Sequence, residues 1–527
     1  MAAIVYQTNK QTKITYAYES ISCWDKEKQQ SRAKRRCIGK VDSETKEIIP
    51  TRKKHIILTV PATYTSRSFY GATYLFDAIG AKLGMVPDLK KCFPDTYKQI
   101  LSTAYYLILE GINPLSRFPK WAATHKHPYG KSIPSQRSSE LFASITEDAK
   151  GHFFRLQGKR RLEKEYWAYD TTSISSYSNC LKQVRYGVNK EHDPLPQINI
   201  ALLFGEKSNL PFYYRKLAGN IPDVKTVNNL LADIDFFGYK NIKLVMDRGF
   251  YSEANINELY QNHLKFLIAT KVSLTFVKAE LDKVRDSIHT WTNYNQKYDL
   301  YACSSKMDWA YSQERPYKCD TLRDKRRIYL HLYFNSEKAM EDEKNLNTLL
   351  ATLQEELKSG NKTKEHEKQY VKYFDCKSTP IRGTKITVKQ EAVVEAKKNY
   401  GYFALLSNEI KDPVEALEIY RNKDLVEKAF GNLKERLNFS RTGVSSDQSL
   451  DGKLFVEFIA LIYLSYLKKK MQDKNLFKRY TQQELLDEFD IIECFEYQGR
   501  ELRVGEVTKR QTELYEAMDI TSPTSLQ

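Results

Sequence analysis

The sequence has no cysteine pattern of the kind that holds a metal ion or a disulfide-linked scaffold. Its eight cysteines are scattered, no two of them form a CxxC pair, and no histidine lies near any two of them in the sequence. Structural zinc sites use closely spaced Cys and His ligands, and disulfide-rich domains are short and dense in cysteine. The sequence therefore disfavours both a structural zinc site and a disulfide framework.

Long hydrophobic runs are also missing. The longest apolar stretch, Phe455 to Leu467, has only 13 residues and contains Glu457, whereas about 20 residues are needed to cross a bilayer. The first ten residues, MAAIVYQTNK, contain no apolar segment behind a basic one, which a secretion signal would have. We therefore expect no membrane span and a cytoplasmic location.

Positive charge is present in excess and is unevenly distributed. The chain of 527 residues carries 83 Lys and Arg against 66 Asp and Glu, a net charge of +17. The first 160 residues hold 27 of the basic and 13 of the acidic residues, while the remainder is almost balanced at 56 and 53. Clustered cations bind phosphate backbones, so we expect this amino-terminal part to contact nucleic acid. The alternative is a chain that is simply rich in lysine, which the charge alone favours less than nucleic-acid binding.

Hydrophobic periodicity and turn signals divide the chain into six segments. Residues 1–60 contain the strand-like runs ITYAYESISCW and KHIILTV around the basic segment KEKQQSRAKRRCIGKVDSETKE, which predicts turns there and a basic β-hairpin overall. The predicted segments are a basic β-rich region (1–60), a helical region (61–160), the first part of a core (161–270), a β-rich insertion (271–400), the second part of the core (401–470) and a helical tail (471–527).

The first part of the core contains three strands, a helix, a strand, a helix and a fifth strand. The helix PDVKTVNNLLADIDFFG begins with Pro and Asp and ends with Gly, and Ser252 precedes the second helix as a predicted N-cap. This order is that of an RNase H-like mixed sheet with flanking helices, so we predict an α/β fold. The strand-like runs are WAYDTTSIS, QINIALLFG, PFYYRKLAG, IKLVMDRG and KFLIAT.

Two acidic residues lie at the rim of the predicted sheet. Asp170 is inside a strand-like run and Asp247 ends another, each beside apolar residues. A buried carboxylate is costly unless it is paired or binds a metal, and an oxygen ligand set without Cys or His suits Mg²⁺ or Mn²⁺. Taken singly, each Asp is more often a turn or capping residue than a metal ligand.

A third acidic residue belongs to the helix YRNKDLVEKAFGNLK. At about 100° per residue, Tyr420, Lys423, Glu427 and Lys434 share a stripe roughly 60° wide, directly beside an apolar face. This spacing places Glu427 at the edge of the buried surface, where it could bind a metal between phosphate-contacting groups. An ordinary Lys423–Glu427 ion pair on a helix surface would explain the same spacing.

Together these three pieces resemble the DDE transposases of bacterial insertion sequences. The spacing of Tyr420, Lys423, Glu427 and Lys434 matches the Tyr-Arg-Glu-Lys signature group of that family, except that Lys423 stands where Arg is usual and Arg421 is next to that position. The segments YDTTSIS and VMDRGFYS resemble its first two catalytic blocks. Asp247 follows Asp170 by 77 residues and Glu427 follows Asp247 by 180, consistent with the subgroup that has a long insertion before the catalytic Glu.

The resemblance implies cut-and-paste transposition of an insertion sequence. Asp170, Asp247 and Glu427 would hold two Mg²⁺ (or Mn²⁺) ions, which would assist hydrolysis at terminal inverted repeats and then transfer of the 3′-OH ends into target DNA. The protein would be bacterial, associated with the nucleoid, and a homodimer that pairs two DNA ends. The helical region 61–160 would bind DNA, as would these residues: Tyr420, Lys423, Lys434, Arg248, Arg421, Arg32, Lys34, Arg35 and Arg36.

Two alternative functions remain open at the level of sequence. An RNase H-like nuclease would cut DNA with the same metals but would not join it. A catalytically silent DNA-binding derivative is a further alternative, although a binding module has no need of three such carboxylates.

Overall fold

The computed structural model divides the chain into two compact units. The first comprises Met1–Thr65 with Tyr497–Arg500, and the second Ser66–Glu496 with Glu501–Gln527. The structure describes all residues except 1–2, 26–29, 44, 50–64, 112, 161–164, 179, 190–192, 240–241, 380–382, 424–429, 432–433, 435–436, 438–443, 445, 498–501 and 525–527.

The first unit contains a four-stranded antiparallel sheet in sequential order. The basic run SRAKRRCIGK, for which turns were predicted, belongs to a strand, because pairing with the preceding strand outweighs its weak β propensity. The predicted strand KHIILTV lies outside the described residues. The strands are β1 (Ala3–Thr8), β2 (Thr15–Asp25), β3 (Gln30–Val41) and β4 (Ile48–Ile49).

The second unit begins with a short strand followed by helices, in agreement with the helical periodicity of this segment. The helix at 147–159 is capped by Thr146, whose side chain accepts a hydrogen bond from the Ala149 N–H. The elements are β5 (Thr65–Phe69), α1 (Gly71–Lys82), α2 (Met85–Cys92), α3 (Tyr97–Glu110), α4 (Phe118–Ala122), α5 (Ser135–Ser144) and α6 (Glu147–Lys159).

The predicted core follows in the expected order. Pro222 and Gly238 flank its first helix, and the Ser252 side chain caps the second by accepting from the Asn255 N–H, as predicted. The elements are β6 (Trp167–Ser175), β7 (Gln197–Gly205), β8 (Pro211–Ala218), α7 (Asp223–Phe237), β9 (Lys243–Met246), α8 (Glu253–Gln261) and β10 (Lys265–Thr270).

The next segment is a mixture of helices and strands rather than mainly β. Its longest helix is charged and spans Ser336–Ser359. The elements are α9 (Thr275–Val284), β11 (Tyr294–Asn295), β12 (Leu300–Arg315), β13 (Asp320–Phe334), α10 (Ser336–Ser359), α11 (Glu367–Tyr373), β14 (Phe374–Thr379), β15 (Gly383–Val388), α12 (Gln390–Lys397) and β16 (Tyr402–Ser407).

One nine-stranded sheet unites the core with part of this segment, in the order β11-β12-β13-β16-β10-β9-β6-β7-β8. Within it, β8, β7, β6, β9 and β10 form the RNase H-like arrangement that the sequence predicts: β6 is antiparallel to β7 and parallel to β9, and β9 is parallel to β10. The long β12–β13 hairpin therefore extends the core sheet through β16 instead of forming a sheet of its own.

The remaining elements include a long buried helix, Asp447–Asp473, against which α3, α5 and β8 pack. Gly452 of this helix lets α5 approach closely, because a Cβ there would lie 2.0 Å from the Phe142 carbonyl oxygen. In the part of the chain that the structure describes, none of the helices combines the length and hydrophobicity needed to cross a bilayer. The elements are α13 (Pro413–Asn422), α14 (Asp447–Asp473), α15 (Gln482–Asp490), β17 (Glu493–Tyr497), β18 (Arg503–Val504) and α16 (Lys509–Ala517).

Candidate active site

Asp170 and Asp247 lie side by side on neighbouring parallel strands. Tyr169 of β6 pairs with Met246, the last residue of β9. Asp170 is the next residue of β6, and Asp247 directly follows the end of β9. Side chains alternate between the faces of a sheet, so residues that follow a paired couple project from the same face. The sheet register thus places the carboxylates of Asp170 and Asp247, 77 positions apart in sequence, next to each other on one face of the sheet.

Helix α13 packs across this face and is fixed at its start. The Asp412 side chain accepts hydrogen bonds from the Val414 and Glu415 N–H groups, Pro413 occupies the first turn, and the Tyr333 hydroxyl donates to the Pro413 carbonyl at 2.7 Å. The apolar side of the helix is buried against the sheet. This anchoring directs the last turn of the helix toward the aspartates.

The last turn of α13 contributes a tyrosine to the site, and the residue that directly follows the helix contributes a lysine. The Tyr420 hydroxyl donates to Asp247 Oδ1 at 2.8 Å. The Lys423 ammonium lies 3.7 Å from Asp170 Oδ2, and its side chain is only 2% exposed. Asp170 Oδ1 also accepts from the Thr171 N–H at 2.8 Å. Two of the four signature residues therefore contact the two predicted aspartates directly.

The surroundings of Asp247 keep its carboxyl group ionised. Burial acts to raise its pKa, but the charge of Lys423, the hydrogen bonds from the Tyr420 hydroxyl and the Arg248 N–H, and the charge of Arg248 outweigh it. The net effect lowers the pKa of Asp247 below its ordinary value. An ionised carboxylate is the form that binds a divalent cation.

The other predicted site residues are placed as follows. Arg248 is exposed and donates its backbone N–H to Asp247 Oδ1 at 2.7 Å. The Arg421 guanidinium lies 4.6 Å from the ring of Tyr298, in the direction of the long insertion. Lys434 is half-buried, and Glu427 lies outside the described residues. In the first unit, four exposed cations follow one another along β3: Arg32, Lys34, Arg35 and Arg36.

A further carboxylate lies beside this site and has no counterpart in the sequence prediction. Asp223, which the sequence marks only as the start of α7, accepts a hydrogen bond from the Thr171 hydroxyl at 2.5 Å. A Cβ on Gly249 would lie 3.5 Å from its Oδ2 atom. Thr171 follows Asp170, and Gly249 is two residues beyond Asp247. Only the fold brings these segments together, so no local pattern could have identified Asp223.

The donor set of the site suits a hard divalent cation. The described carboxylates, Asp170 and Asp247, offer oxygen atoms, which are the ligands that such a cation prefers. Two neighbouring carboxylates also need nearby positive charge, and the Lys423 ammonium beside Asp170 already supplies part of it. Among the residues that the structure describes, no three His, Cys, Asp or Glu side chains form a metal-binding group. The third predicted ligand, Glu427, is not among those residues.

The family comparison agrees with this geometry. The transposase DDE domain family matches residues 161–463, more than half of the chain. The protein belongs to the DDE transposase family. No curated protein matches the chain. Among solved structures, this transposase is similar to a piggyBac transposase in a synaptic complex with hairpin DNA, at 9% sequence identity and a TM-score of 0.33, covering 79% of this chain and 70% of that chain.

The tyrosine contact in this transposase allows a test by pH. Tyr420→Phe removes a hydrogen bond to the ionised Asp247, so we expect the pKa of Asp247 to rise. Activity that requires ionised Asp247 is lost as the pH falls through this pKa. The acidic limb of the pH–rate profile for DNA cleavage should therefore move to higher pH.

The matched control is Tyr298→Phe. This change removes a hydroxyl that donates to Glu418 of α13 at 3.1 Å. The Tyr298 hydroxyl contacts neither Asp170 nor Asp247. The acidic limb of this variant should coincide with that of the unmodified protein. An unchanged limb in Tyr420→Phe would show that the hydroxyl does not influence the ionisation of Asp247.

Proposed function

We propose that this DDE transposase carries out cut-and-paste transposition of an insertion sequence. It would hydrolyse DNA at terminal inverted repeats in a Mg²⁺-dependent reaction and then transfer the freed 3′-OH ends into target DNA. The observation that supports this proposal is the meeting of Asp170 and Asp247 at adjacent strands, with Tyr420 and Lys423 bound to them. This arrangement lies within the segment that matches the family.

Asp170, Asp247 and Glu427 would hold two Mg²⁺ or Mn²⁺ ions in this proposal. When bound, such ions promote deprotonation of the attacking water or hydroxyl and stabilise charge on the leaving 3′ oxygen. The lowered pKa of Asp247 supports this assignment, because the carboxylate is ready to bind a cation at neutral pH.

The remaining site residues would hold and orient the reacting groups. Tyr420 fixes the carboxylate of Asp247 through its hydrogen bond. The Lys423 ammonium offsets the charge of Asp170, and its charge also helps to lower the pKa of Asp247. Arg248, Arg421 and Lys434 would contact DNA phosphates near the site.

Double-stranded DNA is the proposed partner, and the first unit offers a basic surface for it. On β3, Arg32, Lys34 and Arg36 pair with alternate residues of β2 and share one face of the sheet, while Arg35 is on the other. Phosphate contacts from such a face would position the protein on the terminal repeats without reading their sequence. A homodimer would bring the two ends of the element together, in the cytoplasm near the bacterial nucleoid.

One reaction tests the proposal against its alternatives. The full-length protein is incubated with Mg²⁺, labelled DNA that carries the inverted repeats flanking its own gene, and a supercoiled target plasmid. Labelled joint products support transposition. Cleavage without joining would favour the nuclease, and binding without cleavage would favour a silent DNA-binding derivative. Either of these results would contradict the proposal.

Glu427→Gln tests the third predicted ligand in the same assay. The substitution removes the negative charge and keeps the size of the side chain, so we expect cleavage to be abolished and DNA binding to be nearly unchanged. The matched control is Glu391→Gln on the exposed side of α12, which should leave cleavage unchanged. Loss of DNA binding in Glu427→Gln would instead assign the residue a structural role.

A further inference from the structure

A cavity of about 430 Å³ lies at the end of the core sheet where β10 begins. Four of its seven lining residues are basic and none is acidic. The cavity is bounded by the turn before β10, by the β13 strand of the long hairpin and by the residue that follows β16. Its lining residues are Tyr260, His263, Leu264, Lys265, Arg326, Arg327 and Asn408.

This cavity is separate from the candidate active site. Lys265, the first residue of β10, pairs with Lys243, the first residue of the parallel strand β9. Asp247 follows the last residue of β9, four positions beyond Lys243. At about 3.3 Å per residue, roughly 13 Å of strand separates the two ends of the sheet. The cavity therefore lies at the end opposite to the paired aspartates.

The positive charge around the cavity is only partly neutralised by protein groups. Arg326 pairs with Asp324 at 3.3 Å, and the nearby Glu409 is engaged by Lys243 at 3.4 Å. Within the described part of the chain, no carboxylate lies within 4 Å of the basic groups of Lys265 or Arg327. Like charges around one hollow repel each other, and a bound anion would relieve that repulsion.

The cationic groups and the cavity wall are held in place. The guanidinium groups of Arg326 and Arg327 lie 5.1 Å and 5.6 Å from the aromatic rings of Tyr311 and Tyr329, respectively. The Tyr260 hydroxyl donates to the Arg327 carbonyl at 2.8 Å. Arginine side chains that are already restrained lose less conformational entropy when they bind a ligand.

Asn408 fixes the opposite wall by joining two segments. Its Oδ1 accepts from the Phe266 N–H at 2.9 Å, and its Nδ2 donates to the Leu264 carbonyl at 2.9 Å. The start of β10, and with it the backbone of Lys265, is thereby tied to the end of β16. Hydrogen bonds therefore hold the backbone that carries the basic side chains of the cavity.

We propose that this cavity binds a phosphodiester group of the DNA backbone, away from the strand ends that react. The inference rests on the proposed function, which supplies DNA as the partner. Arginine presents a planar set of donors that matches phosphate, and lysine adds a compact charge. A phosphate held here would anchor the duplex on the enzyme without entering the chemistry.

The test compares DNA binding by a double variant, Lys265→Gln with Arg327→Gln, at several NaCl concentrations. Each lost phosphate contact should weaken affinity roughly tenfold at about 0.1 M salt and reduce the slope of log affinity against log salt by about one. At saturating protein, the double variant should cleave DNA at the unmodified rate, because the aspartates are unchanged.

Two matched variants separate a specific contact from general effects. Lys325 belongs to the same hairpin but does not line the cavity, and its ammonium pairs with Asp308 at 3.6 Å. Lys325→Gln therefore removes a cation of the hairpin without changing the cavity. It should retain the unmodified affinity and slope. The charge-conserving pair Lys265→Arg with Arg327→Lys should keep the slope. An equal loss in Lys325→Gln, or loss of the slope in the charge-conserving pair, would overturn the inference.

The remaining outcomes distinguish this inference from the proposed function. If the unmodified protein fails to bind DNA, the proposed function fails and this inference fails with it. If it binds DNA and the double variant binds with the same affinity and slope, only the cavity assignment is overturned. Calorimetric titration with inorganic phosphate provides the last comparison: saturable binding that depends on Lys265 and Arg327, without any change in DNA binding, would make this a free-phosphate site and contradict the proposal.

Discussion

Asp170→Asn or Asp247→Asn should lower the rate of DNA cleavage by at least about a thousandfold, with DNA binding retained. In the proposed function both aspartates are metal ligands. Losing such a ligand removes several kcal/mol of transition-state stabilisation, and about 4 kcal/mol corresponds to this factor. Asparagine keeps the size of the side chain and one acceptor oxygen, so the hydrogen bond from Tyr420 to position 247 can persist. Single-turnover cleavage and a binding titration on the same DNA measure the two effects separately.

The Asp170 variant needs a correction for stability. Lys423 is almost fully buried beside Asp170, and removal of one partner of a buried pair can cost about 3–5 kcal/mol. The double variant Asp170→Asn with Lys423→Met removes both charges and should recover stability without recovering cleavage. Recovery of cleavage in the double variant would show that Asp170 acts through folding alone.

Asp223→Asn is the matched control for this prediction. Asp223 accepts a hydrogen bond from Thr171 and lies beside Gly249, but it belongs to neither of the paired strands. Asparagine can still accept this hydrogen bond, so we expect less than about a tenfold loss of cleavage. A loss as large as that of the Asp247 variant would place Asp223 among the reacting carboxylates.

The second large effect is expected from Glu457, the acidic residue within the longest apolar run of the chain. Its side chain is completely buried in α14, with the Lys453 ammonium 3.6 Å away. Burial raises the pKa of Glu457 from 4.5 to about 8, and the charge of Lys453 opposes this only in part. Folding therefore favours the protonated carboxyl group.

The sign of the pH effect follows from this shift. Below pH 4.5 the carboxyl group is protonated in both the folded and the unfolded chain, so its ionisation does not lower the free energy of unfolding there. Between pH 4.5 and about 8 only the unfolded chain releases the proton, so the free energy of unfolding falls by up to about 1.4 kcal/mol per pH unit. The total loss across this range is about 3–5 kcal/mol.

Glu457→Gln should remove this dependence. The difference in unfolding free energy between Glu457→Gln and the unmodified protein should be small at pH 5 and grow steadily in favour of the variant up to pH 8. Denaturant unfolding at each pH measures this difference. Glu391→Gln, at an exposed position, should show no such trend. A constant difference for Glu457→Gln would mean that Lys453 keeps the carboxylate ionised in the folded protein.

Local signals predicted much of the fold correctly. Pro222 and Gly238 bound helix α7, Ser252 caps α8, and the order of strands and helices from 161 to 270 is that of the RNase H-like sheet. Each of these signals depends on residues close in sequence, such as a side chain that satisfies a free N–H or a glycine that adopts a left-handed conformation. These capping preferences are the same wherever the helix lies in the folded protein, so they can be recognised from the sequence alone.

Non-local pairing accounts for the differences from prediction. The basic run around Arg35 predicted turns, but pairing with β2 makes it a strand. The strand-like pieces of the predicted insertion do not indicate their partners, and in the structure β13 pairs with β16 and continues the core sheet. Strand pairing draws its stability from a distant partner, and a periodicity within one segment does not reveal that partner.

The sequence by itself determined the family, the RNase H-like order of elements and the two aspartates that end in the site, because motif spacing and hydrophobic period are properties of short segments. Only the tertiary structure decided that Lys423 lies against Asp170, that Thr171 binds Asp223, and that the basic cavity forms at the opposite end of the sheet. These contacts join residues from separate segments of the chain. Their geometry is set by sheet register and helix packing, which exist only once the whole domain has folded.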